Sequence, residues 1–240
     1  MGVLEGRGVL VAGADRPIAR AVIAAARDAG GDVLACTHRP GLAVADGPGG
    51  HPASPVAADL ADEPVVEDVV ELAAGRAPLG VLANVVHPCD GGGRLARVSD
   101  DDWDSALVSS LHTSFLLIQR AVGEFICGDG GRIVNVIDLT GHARADGVAA
   151  VTRAALLSLS RCVAKEYGRR GVACSTVVAR HGAAGTGGTP EDAAEAVVYL
   201  ASADASIVTG DELHVTVHTA AAGTADQERS PCEPTSASTT

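Results

Sequence analysis

Brief apolar runs alternate along this chain with longer stretches in which apolar positions recur at helical spacing. Residues 8–12, 32–37, 81–86, 132–137, 172–178 and 212–217 are short, rich in Val and bounded by Gly or polar turns, which predicts strands. Residues 17–29, 65–74, 103–126, 152–167 and 190–201 predict helices. Such alternation predicts a parallel sheet covered on both faces by right-handed crossovers, a single doubly wound, Rossmann-like α/β domain.

Two segments break the pattern. Residues 40–55 are dense in Gly and Pro and predict a loop where a second helix belongs. From 219 to 240 the apolar content is too low to pack, so the domain is expected to span 1–218 and the remainder to form a disordered tail. Two helices carry the opposite excess. In 103–126 the residues Leu107, Leu111, Phe115, Leu117, Val122 and Phe125 do not keep to one stripe, and 152–167 shows the same breadth through Ala154, Leu156, Leu159 and Val163. A helix apolar around much of its circumference is buried on more than one side. One side can face the sheet, and the other predicts contact with a further subunit.

Composition narrows the function classes. The 240 residues suit one hydrophobic core, and with 47% hydrophobic but only 2% aromatic residues that core must be built from Ala, Val and Leu. A net charge of −12 leaves no excess of Lys and Arg to neutralise phosphates, which argues against nucleic acid as a partner. No 18 apolar residues run uninterrupted, and the N-terminus lacks a basic region before a long apolar segment. A cytoplasmic protein with no membrane partner is therefore expected. Cys36, Cys89, Cys127, Cys162, Cys174 and Cys232 are far apart, without metal-ligand spacing, and are expected to be reduced thiols in a chain with no metal site.

The first predicted strand runs into Ala12-Gly13-Ala14-Asp15-Arg16-Pro17-Ile18-Ala19, and the second into Thr37-His38-Arg39. Asp59-Leu60, Asn84-Val85-Val86-His87 and Gly131-Arg132-Ile133-Val134-Asn135 follow. Over about residues 6–217 these segments resemble the short-chain dehydrogenase/reductase family. The resemblance implies a nucleotide site in which Gly13 opens the phosphate turn, Arg39 favours NADP at the ribose, Asp59 lies beside the adenine and Asn84 opens the family's Asn-Asn-Ala-Gly segment. Departures weigh against tight binding. Pro17 and Ala19 replace glycines of the turn, and Pro17 also removes an amide donor. Asp15 brings negative charge towards a phosphate, and His87 an imidazole where glycine leaves room for ribose. A plain strand-to-helix turn is the simpler reading, so no cofactor is expected; NADP is the one the surviving positions would suit.

The family's proton relay consists of Asn, Ser, Tyr and Lys. Alignment through Trp103 puts Ser110 at the Asn, alignment through Gly131 puts Asp138 at the Ser, and the following helix puts Ala149 at the Tyr and Arg153 at the Lys. Alanine cannot donate a proton, so the resemblance is to a degenerate member that does not transfer hydride by the usual route. After the sixth strand, Ala179-Arg180-His181 leads almost directly into Thr189-Pro190, where the family has a long lid over its substrate.

Three functions are compatible with these residues. The first is a catalytically degenerate subunit that assembles with and supports an active homologue, or a homo-oligomer, through helices 103–126 and 152–167. The second is a cofactor-independent, redox-neutral enzyme of isomerase, dehydratase or cyclase type, with Asp138, His87, His142, His181 and Arg153 as acid and base candidates at the strands' C-terminal edge. The third is a residual NADPH-dependent reductase.

Overall fold

The computed structural model describes residues 2–38, 56–88, 95–140, 147–181, 188–205 and 208–217. Seven parallel strands form one sheet: β1 (Gly8–Ala12), β2 (Asp32–Thr37), the two-residue β3 (Val56–Ala57), β4 (Leu79–Val86), β5 (Gly131–Leu139), β6 (Val172–His181) and β7 (Glu212–Val217). Their spatial order is β3-β2-β1-β4-β5-β6-β7, so the direction of winding reverses between β1 and β4. Ala12 pairs with Cys36 on one side and Asn84 on the other, which brings the ends of β1, β2 and β4 to one edge.

Helices α1 (Pro17–Asp28), α2 (Glu63–Arg76), α3 (Asp100–Leu107), α4 (Thr113–Cys127), α5 (Val148–Tyr167) and α6 (Pro190–Ala201) cover both faces. Their starts follow local chemistry. Pro17 and Pro190 stand in the first turns of α1 and α6, where a missing amide costs nothing. Ser99 accepts the Asp102 amide at 3.1 Å, and Asp100, Asp101 and Asp102 meet the positive end of α3.

Alternation along the strands sorts the core into two layers. Val9, Val11, Val33, Ala35 and Val85 turn to the side of α1 and α6, whereas Leu10, Ala12, Leu34 and Leu82 turn to that of α2 and α4. Small side chains let the helices lie close to the sheet, as the composition required. Phe125 is the large exception. It is fully buried, and it closes over Gly131 at the start of β5.

Most predicted elements form, with three corrections. The stretch 103–126 is not one α-helix: a π-helical turn, Val108–His112, separates α3 from α4. Ser110 donates to the Ala106 carbonyl, and Thr113 to the Ser109 carbonyl at 3.2 Å, so hydroxyls take up carbonyls around the widened turn. β5 extends past 137, so Asp138 lies within the strand instead of after it, and α5 begins at Val148, four residues before the predicted start. The proposed loop at 40–55 and the tail at 219–240 lie outside the described residues.

A side chain at Gly131 tests this packing. Its Cβ would stand 2.2 to 2.5 Å from three ring atoms of Phe125. Gly131→Ala is expected to lower stability by about 1–3 kcal/mol in urea unfolding, because a dense core must shift to admit it. An unchanged midpoint would mean that the Phe125 ring moves freely.

Candidate functional site

The reversal of winding between β1 and β4 is where sheets of this kind open a crevice. Gly13, the residue after β1, has φ +84°, and a Cβ there would come within 2.2 Å of the Val85 carbonyl oxygen. Only glycine fits. The Ala14 amide donates to the Cys36 carbonyl at 3.0 Å and the Arg16 amide to the Gly13 carbonyl at 3.2 Å, tying the turn to β2 and to itself. Asp15 is less repulsive than its sequence position implies, since Arg16 Nε lies 3.4 Å from its carboxylate.

His38 changes the picture of this crevice. From the end of β2 its imidazole reaches past β1, and Nε2 donates to the Val85 carbonyl of β4 at 3.0 Å. The ring would stand 3.2 Å from a Cβ on Gly13. Sequence reasoning placed His38 in the ribose-reading segment but did not select it. Its crossing depends on the register of three strands, which no local spacing encodes.

A second histidine lies one residue beyond β4. Val86 pairs with Ile137, so His87 is brought beside Asp138. The Asp138 side chain is almost fully buried; its Oδ1 accepts the Thr140 hydroxyl at 2.6 Å and the Thr140 amide at 3.0 Å. The other oxygen, Oδ2, lies 3.9 Å from His87 Nδ1, longer than a direct hydrogen bond but close enough for an ion pair. Thus two of the five acid and base candidates meet. Arg153 is half-buried on α5. His142 and Arg39 fall outside the described residues, and of His181 only the backbone, at the end of β6, is described.

Other predicted positions are interior. Ser110 and Ala149 are fully buried, and so is Asn84. Asn84 Nδ2 donates to Ser114 Oγ at 2.9 Å and to Asn135 Oδ1 at 3.0 Å. Asn135 Nδ2 continues to Ser160 Oγ at 2.9 Å, and Ser160 meets Thr176 Oγ1 at 2.9 Å while donating to the Leu156 carbonyl at 3.0 Å. This ladder ties β4, β5 and β6 to α4 and α5. It holds the Asn84 side chain in the core, between β5 and α4. Asp59 is exposed and accepts the Ala61 amide at 3.1 Å within its own turn. Among the described residues no three His, Cys, Asp or Glu cluster as metal ligands, and no helix is long and apolar enough to cross a membrane.

A family model described as short chain dehydrogenase matches residues 7–190. The chain belongs to the short-chain dehydrogenase family. The (3R)-3-hydroxyacyl-CoA dehydrogenase of Canis lupus familiaris is 31% identical over 159 residues, covering 55% of this chain and 61% of that protein. This chain therefore spans about three fifths of that relative's length. The (3R)-3-hydroxyacyl-CoA dehydrogenase of Mus musculus is 28% identical over 244 residues, covering 86% of this chain and 93% of its own. Among solved structures, one described as an NAD(P) dependent gluconate 5-dehydrogenase of Beutenbergia cavernae, with bound NADP at low occupancy, is 28% identical with a TM-score of 0.75. It covers 89% of this chain and 96% of its own.

The thiols report on the interior of this family member. Burial pushes Cys36 and Cys174 up to about 12, the Ser160 hydrogen bond offsetting part of the rise at Cys174, whereas Cys127 and Cys162 are exposed. At about pH 8 a thiol reagent is expected to label Cys127 and Cys162 in the native protein and to spare Cys36 and Cys174, as read by peptide mass spectrometry. Above about pH 9 the unfolded chain loses thiol protons that the folded chain keeps, so stability should fall as pH climbs from there towards 12. Equal labelling of all four cysteines would show that the sheet opens readily.

Proposed function

We propose that this chain has left redox chemistry and serves as a supporting subunit for a catalytically complete member of its family. One observation carries the reading: an open apolar groove of about 500 Å3 lined by Leu107, Val108, Leu111, His112, Phe115 and Leu159. Val108 and Phe115 are each 43% exposed at its rim. Burying such side chains against a partner contributes on the order of 1–2 kcal/mol apiece.

The absence of redox chemistry rests on the relay. No tyrosine lies between Gly131 and Glu166, and Ala149, aligned with the family's Tyr, has no proton to give. Asp138, aligned with the Ser, directs one oxygen to Thr140 and the other to His87. A subunit with this relay can shape a complex without turning over substrate.

The groove identifies which residues test assembly. Leu156 is fully buried in this chain's own core, whereas Phe115 is half exposed. Phe115→Glu is expected to dissociate the oligomer with the fold intact, because the carboxylate would have to be desolvated unpaired, at several kcal/mol. Leu156→Glu is expected to unfold the protein instead. Light scattering at micromolar concentration, alone and with a co-expressed family member whose activity is followed, is the measurement. A monomer under both conditions removes the proposal.

A second reading is favoured by the meeting of His87 with Asp138 at the sheet edge. Thr140 fixes the carboxylate, and its other oxygen lies 3.9 Å from His87 Nδ1, so an acid and a base stand close enough to serve a redox-neutral proton transfer. If the isolated protein turns over a substrate, Asp138→Asn is expected to slow it about 10²-fold or more while circular dichroism stays unchanged. An unaltered rate would take Asp138 out of the mechanism.

A further inference from the structure

We propose that His38 plugs the nucleotide crevice of this chain, so that a dinucleotide enters only when the bond from His38 to Val85 opens. In sheets of this kind a dinucleotide lies outside the carboxyl ends of the strands at the reversal of winding, its phosphates close to a glycine turn and to amides at a helix start. Each of those features has an occupant here. The imidazole spans from β2 to β4 across the end of β1, and its Cδ2 and Nε2 stand 3.2 Å from where a Gly13 Cβ would be. The ring thus crowds the side of the Gly13 turn, where the Val85 carbonyl oxygen already stands 2.2 Å from that Cβ position. The Val85 carbonyl, a free acceptor at the crevice mouth without His38, is engaged at 3.0 Å. Pro17 presents no amide in the first turn of α1, and the nearby Arg16 guanidinium lies 3.4 Å from Asp15. The residues as arranged do not fit a dinucleotide.

The obstruction is one side chain on the first residue after β2, not a collapse of the fold. Gly13 keeps its positive φ, and the turn keeps its bonds to β2 and to itself. Removing the ring vacates the volume it occupies across the end of β1 and releases the Val85 carbonyl. If the plug is closed nine tenths of the time, apparent affinity falls about tenfold, since the measured constant is the intrinsic one divided by the open fraction. The inference concerns binding alone and does not depend on the assembly reading, because Ala149 stays in place whichever way His38 lies.

The test is a titration of NADPH into the purified full chain, followed by calorimetry, for the wild type, His38→Ala and His38→Ser. Thermal melting establishes that each variant is folded. Both variants are expected to bind at least about tenfold more tightly than the wild type. In wild type labelled with ¹⁵N-histidine, saturating NADPH should shift the His38 ring signals as the Val85 bond breaks. Equal or weaker binding by folded variants overturns the proposal, as does wild-type binding that leaves the His38 signals unmoved. Failure of all three proteins to bind overturns it too, since the obstacle would then lie in Pro17 or elsewhere in the turn.

Discussion

The hydrogen bond from Asn84 Nδ2 to Asn135 Oδ1, buried at 3.0 Å, joins the two central strands through their side chains as well as their backbones. Around it the ladder runs outward to Ser114 on α4 and to Ser160 on α5. Breaking one of these bonds leaves a buried polar group unpaired at about 1–3 kcal/mol, so the ladder favours fixed rotations of the two helices against the sheet. That rotation decides what the surface looks like. Ser114 must point inward to meet Asn84, and its neighbour Phe115, about 100° further round the helix, must then point out. Ser160 turns inward on α5 in the same way, leaving Leu159 at the rim of the apolar groove.

The strands and helices were legible because apolar periodicity and turn residues report local geometry. Even the start of α1 could be read from Pro17 alone. The π turn could not: its five residues keep the apolar content of a helix, and what marks it is hydroxyls returning to carbonyls, a pattern common to ordinary Ser and Thr. Asn84 and Asn135 were both visible in the sequence, one as a cofactor residue and one as part of an alignment anchor, but a side-chain bond across two strands depends on register. For the same reason the pairing of His87 with Asp138 could be anticipated only as shared location, and the crossing of His38 not at all.

The two histidines divide the sheet edge between them. His38 binds a backbone carbonyl on the side of β1 and β2, where a cofactor of this family would lie, and His87 faces a carboxylate on the side of β5, where its chemistry would occur. A carbonyl only fixes an imidazole in place, whereas a carboxylate also stabilises its charged form. One fold edge therefore carries one histidine bonded to a backbone carbonyl and another within ion-pair distance of a buried carboxylate.

The π turn between α3 and α4 has a geometric consequence for the surface. A π segment holds one residue more than an α-helix would over the same path, which advances everything after it by about 100°. The acidic start of α3, set by its cap at Ser99, and the apolar face of α4, set by the bond at Ser114, are thereby placed out of phase with each other. Each half keeps its own angular setting. Substitutions in the acidic segment can alter charge at the start of α3 without rotating Phe115, so that charge and the orientation of the apolar face can vary independently.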